Sequence, residues 1–170
     1  VNAFATRIHD FNDTFSGRNN SHPSEHVLPL ALAHAHTVDW TGEEFLRAVA
    51  VGYRVFVISA QCWEGLLSKG WAPSATIGAV AGAAYQAWLE GLDEDTTSHA
   101  VAIAAVTAPT LGGVFRARIS DLKSMVNGLA NQAALSAVRL AKAGVSGPLN
   151  VFEAPAGWDE MVGGPFVTAD

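Results

Sequence analysis

The stretch TGEEFLRAVAVGYRVFVISAQCWEGLLSKG, Thr41 to Gly70, decides the fold class. It opens on a capping box. The Thr41 hydroxyl is placed to accept a backbone N–H three residues on, while the Glu44 side chain reaches back to the first N–H. The middle, Val49–Ile58, is apolar nearly all round, a pattern that predicts burial on several sides. Its valines would also suit a strand, but the length and the capping box favour a helix from Thr41 toward Leu67, stopped by Gly70.

Working outward, the same signs recur. Val1–Asp10 reads as a helix, followed by a polar loop, Asn12–Glu25, crowded with Asn, Ser, Gly and Pro. A short helix over His26–His36 comes next. Beyond Gly70, Ser74 is the expected cap of a helix that runs to Glu90 and stops at Gly91. In it Gly78 and Gly82, among alanines, form a small-residue face suited to close helix packing. A helix over Asp95–Ala108 precedes a Gly112–Gly113 loop, and Ser120 is the expected cap of a last helix to Ala143, stopped by Gly144. After Gly147-Pro148 the pattern loosens. Strand alternation persists nowhere, so the expected fold is all-α, a multi-helix bundle.

Composition bounds the function. An apolar share of 49% against 15% charged predicts a well-packed core rather than disorder. A net charge of −6, with only ten Lys and Arg, argues against nucleic acid as a partner, since counterion release needs a basic patch. The apolar runs are broken by Arg54, Gln61 and Glu64 or by Gln86 and Glu90, short of the roughly 20 residues of a membrane span. Neither a membrane partner nor a signal peptide is expected. Cys62 is the only cysteine, so no intrachain disulfide forms and the about three or four thiolates of an iron–sulfur cluster are lacking. Beside Trp63 in an apolar helix it reads as an inert core thiol, and the five tryptophans read as packing. The first residue is Val1, and methionine occurs only at 125 and 161, so the chain is expected to be an internal piece of a longer protein.

Two constellations could carry chemistry. His9, Asp10, Asn12, Asp13, Thr14 and His22-Pro23-Ser24 bring carboxylate, hydroxyl and imidazole into one loop between apolar helices, a setting for an acid/base pair. The same residues suit Asx turns and helix caps with His22 merely exposed. Arg116-Ala-Arg118-Ile-Ser120-Asp121-Leu-Lys123 lies at a helix start, where the dipole favours anions and Arg forks onto carboxylates. A solvated basic turn is the plainer alternative. His34-Ala-His36, with His22 and His26 nearby, does not read as a metal site, because residues two apart on a helix point about 200° apart. No nucleophile elbow, phosphate loop or dinucleotide fingerprint occurs.

Taken in order, these motifs resemble the MmgE/PrpD family, which includes 2-methylcitrate dehydratase, cis-aconitate decarboxylase and an iminodisuccinate epimerase. Asp10-Phe-Asn-Asp-Thr14 is similar to the family's Asp-Phe-Asp-Asp-Thr and is followed by His22-Pro-Ser24. The Gly70-Trp71 turn, the Gly91-Leu-Asp93 helix stop and His99-Ala-Val-Ala-Ile-Ala-Ala-Val106 come next. Arg116-x-x-x-Ser120-x-x-Lys123 and Gly144-Val-Ser-Gly-Pro148 complete a series that spans nearly the whole chain. Residues His99 to Lys123 are most similar to the 2-methylcitrate dehydratase branch.

The resemblance implies a helical domain over residues 1–170, with N-terminal helices before it and a C-terminal α/β lid domain after it. It implies a cofactor-free, metal-free hydro-lyase of the propionate-metabolism kind, cytoplasmic and homodimeric, acting on a small polycarboxylate by proton abstraction beside a carboxylate. The implied catalytic residues are Asp10, Thr14, His22 and Lys123: His22 for proton transfer, Asp10 to orient it and Thr14 as a hydrogen-bond partner. Lys123, Arg116 and Ser120 are the expected substrate-binding groups. A dicarboxylate epimerase or isomerase, a decarboxylase of the same family, and a non-catalytic helical scaffold are the alternatives. Ala72 stands where decarboxylase-like members carry a second histidine, and the loop between Thr14 and His22 is longer than usual.

Overall fold

The computed structural model describes residues 1–167, and among them the protein is helical with no strand, as the patterning predicts. The helices are α1 (Asn2–Arg7), α2 (Ser24–Ala35), α3 (Gly42–Gln61), α4 (Pro73–Leu89), α5 (Glu94–Thr107), α6 (Gly113–Arg116), α7 (Leu122–Lys142) and α8 (Trp158–Met161). Two isolated antiparallel bridges, Phe15 with Ser21 and Trp71 with Leu111, pin the loops between them.

α4 is the central strut. Every residue in it except Ala84 and Trp88 is buried, and α2, α3, α5 and α7 all pack on it. Its small residues make this crowding feasible. Gly82 meets α7, where a Cβ would stand 3.1 Å from that of Ala134, and a Cβ at Gly78 would run into the His26 imidazole of α2. Phe56 of α3, Ile77 and Tyr85 of α4 and Val27 of α2 fill the largest core cluster. α1 lies across α2 and α7, and that packing carries residue 10 toward the start of α7.

The Thr41 capping box is present, and Gly91 and Gly144 follow α4 and α7 with φ of 65° and 86°, the left-handed stops expected of them. Other ends differ from expectation. α3 stops at Gln61, well short of Leu67, because the Asn19 amide takes the carbonyls of Ala60 and Trp63, and Gly65 turns the chain at φ 74°. Ser74 is not a cap; α4 starts at Pro73, and the Ser74 hydroxyl is buried against other partners. Ser120 is not a cap either: α7 begins at Leu122 after Asp121, with no side-chain cap. The Gly112–Gly113 loop winds into the single turn of α6, and the loosely patterned C-terminal stretch forms turns and α8. There the Trp158 indole donates to the Ala105 carbonyl at 2.8 Å and packs on Trp63 at 4.9 Å between ring centres.

Candidate active site

Asp10 is where the loop chemistry begins. The chain leaves α1 and reverses at Asp10 with φ 51°, a left-handed conformation that Asp tolerates better than most residues. This turns the carboxylate back over α1. Asp10 Oδ1 lies 2.8 Å from Arg7 Nη1, and Oδ2 lies 3.3 Å from Lys123 Nζ, at the start of α7. The Arg7 guanidinium first, and then the hydrogen bond from Lys123, hold the Asp10 carboxyl below the usual carboxylate range.

Arg7 itself is anchored from beneath. Its Nη1 also donates to Glu25 Oε1 at 2.7 Å, and the Asn12 and Asn127 amides donate to the same buried carboxylate. Glu25 sits in the first turn of α2, where a negative charge suits the helix dipole. A Pro four residues on leaves the Glu25 carbonyl without its helical donor. Pro29 is that residue, and Asn131 of α7 supplies the missing bond, its Nδ2 donating at 3.1 Å.

Because the Asn131 amide nitrogen is spent on carbonyls, its Oδ1 must accept, and it does so from His26 Nδ1 at 2.8 Å. His26 Nε2 is then the acceptor, facing the Ser74 hydroxyl at 3.5 Å, and that hydroxyl in turn accepts the His22 backbone N–H at 3.2 Å. His26 is fully buried and stacked on Phe56, and burial pushes its imidazole down to about 4. It is a neutral prop under residue 22.

His22 is half-buried, and its ring is set by the loop. Nδ1 lies 2.8 Å from the Asp13 carbonyl, which can only accept, so Nδ1 carries a proton and Nε2 is the ring nitrogen left free of that bond. The Asp13 carboxylate is fixed too. It accepts the Ser24 N–H and hydroxyl at the start of α2 and the Tyr53 phenol at 3.0 Å, while burial, then this bond, pushes Tyr53 up to about 12. His22 is thus oriented by Asp13, a correction to the expectation that Asp10 would do so. The cause is the reversal at residue 10, which sends the Asp10 carboxylate to the two cations.

The parts meet in one hollow of about 430 Å³ whose walls include Arg7, Asp10, His22, Ser74, Phe115 and Lys123. Three expected residues lie outside it. Thr14 is exposed and is not in its lining. Ser120 borders an adjoining hollow of about 280 Å³ that shares Arg7, Asp10 and Lys123, and Arg116 borders one of about 750 Å³ that shares Pro73 and Phe115. Neighbouring residues on a helix point about 100° apart, so α6 turns Phe115 to the first hollow and Arg116 away. The extended Ala117 then breaks any continuous basic helix start. The cation beside Lys123 is Arg7, which patterning alone reads as an ordinary charge at a helix end. Ala72 is fully buried against Ala75, Ala79, Val126 and Ala130.

Cys62 is buried, its thiol donating to the Ile58 carbonyl and pushed up by burial. Among the described residues no three His, Cys, Asp or Glu side chains converge as a metal-holding group, and no helix is long and apolar enough to cross a membrane. The family model described as the MmgE/PrpD N-terminal domain matches residues 1–168.

Proposed function

The chain belongs to the MmgE/PrpD family, and on that premise we propose that it carries the proton-transfer half of a cofactor-free hydro-lyase acting on a small polycarboxylate, of the 2-methylcitrate dehydratase kind. The observation that carries the reading is that His22, whose Nδ1 is held by the Asp13 carbonyl, shares one hollow with two cations, Arg7 and Lys123.

The chemistry needs that pairing. His22 Nε2 takes a proton from the carbon beside a substrate carboxylate, and the charge that builds on the carboxylate is met by Lys123 and Arg7. The electron pair forms the new C=C bond as the neighbouring C–O bond breaks, and the hydroxyl leaves with a proton as water. Arg116 and Ser120, on the adjoining hollows, are left to the far end of the substrate. The acid that protonates the leaving group is assigned to a C-terminal α/β lid domain, in a cytoplasmic homodimer. Decarboxylation by a two-histidine route is disfavoured, because the buried methyl of Ala72 transfers no proton.

The test is ultraviolet absorbance of the intact protein with 2-methylcitrate. A growing signal from a conjugated alkene is the expected result. Exchange of the α-hydrogen with solvent deuterium and no alkene would replace the dehydratase with an epimerase, and neither signal would leave a non-catalytic scaffold.

A further inference from the structure

The two cations of the hollow already hold a carboxylate, and it belongs to the protein. The reversal at Asp10 puts one carboxylate oxygen on Arg7 at 2.8 Å and the other on Lys123 at 3.3 Å, the bridging mode a dicarboxylate would want there. The two acidic partners of Arg7 are unequal. The Glu25 side chain is 0% exposed and held by three side-chain donors, whereas that of Asp10 is 60% exposed. Glu25 is therefore the fixed counter-ion and Asp10 the movable one.

The charge balance points the same way. Arg7 and Lys123 against Glu25 and Asp10 sum to zero, so a polycarboxylate that entered with Asp10 in place would meet a repelling carboxylate at the cations it needs. With Asp10 turned out, the same cations carry one net positive charge. Arg7 lines both hollows that Asp10 and Lys123 share, so a carboxylate entering either one meets the same pair of cations.

We infer that Asp10 is an exchangeable carboxylate, which a carboxylate of the substrate displaces from between Arg7 and Lys123, and that Arg7 forms the anion clamp with Lys123. This rests on the polycarboxylate reading above and adds its entry step: exchange of one carboxylate for another.

The probe is propane-1,2,3-tricarboxylate, titrated calorimetrically at neutral pH into the intact protein and its D10N and D10G variants. Asn and Gly both accept a left-handed φ, so neither variant forces the turn to refold. Each is expected to bind the probe about fivefold tighter than the wild type, as removal of an exposed competing ion pair allows, with a steeper loss on adding salt. Either variant binding no tighter than the wild type overturns the inference. The probe has no hydroxyl to lose, so this result is independent of turnover, and a failure to form an alkene from 2-methylcitrate would leave it standing.

Discussion

On the proposed mechanism, a single ring nitrogen sets the chemistry at the residue scale. His22 Nε2 is the nitrogen left for a substrate because Nδ1 is committed to the Asp13 carbonyl, and Asp13 is itself committed to Ser24 and Tyr53. His22→Gln keeps a side chain of comparable reach but cannot take the proton. It is expected to lower kcat by about 10²–10⁴-fold, the usual worth of a positioned general base, while calorimetric binding of propane-1,2,3-tricarboxylate stays within a small factor of wild type. A variant that lost binding and kept turnover would remove His22 from the mechanism. Residue reasoning from sequence singled out Asp10, His22 and Lys123, which the fold brings to one hollow, because carboxylate, imidazole and amine in a polar loop and at a helix start are chemically conspicuous. It missed Arg7 and Glu25. Their pairing spans 18 positions and depends on α1 crossing α2, and nothing local distinguishes a buried arginine from a solvated one.

Local signals at the scale of elements were legible wherever a helix end answers to its own residues, as at Thr41, Gly91 and Gly144. They failed where a tertiary partner takes the end over: Asn19 on the carbonyls that close α3, and His22 with His26 on the Ser74 hydroxyl. Two glycines make that distinction measurable. Gly42 opens α3 with nothing within 4 Å of a Cβ added there, whereas a Cβ at Gly78 meets the buried His26 ring. Gly42→Ala is expected to stabilise by about 0.5 kcal/mol through helix propensity and a stiffer unfolded chain. Gly78→Ala is expected to destabilise by roughly 1–3 kcal/mol, overpacking outweighing the same propensity gain. Denaturant midpoints of the two variants check both signs, and equal effects would mean that the α2–α4 contact yields more easily than its geometry suggests.

The whole molecule brings the site together by laying α1 and α2 against α7, so that residues 10 and 123 meet across 113 positions. Periodicity foretold the helices but not that meeting; the order of the motifs did, through the family likeness. The same architecture buries an ionisable ring at its centre, and this makes stability respond to pH. His26 is held down to about 4 by burial, against 6.5 for an ordinary histidine. Well above pH 6.5 the ring is neutral whether the chain is folded or not. As pH falls from 6.5 the unfolded chain takes up a proton that the folded protein refuses, so stability declines until about pH 4 and then stops responding to this group, a loss on the order of 3 kcal/mol. Asp10, Glu44, Glu90 and Asp93 are lowered by their own partners, and their losses are centred below the ordinary values of 3.8 and 4.5. Among the groups whose ionisation the fold alters in these ways, the interval from pH 6.5 to 4.5 therefore belongs to His26. Unfolding free energies across that interval are expected to slope in the wild type and to flatten in His26→Gln, which keeps a polar partner for Asn131 but cannot charge. An equal slope in both proteins would show that a group elsewhere governs the acid side of the stability curve.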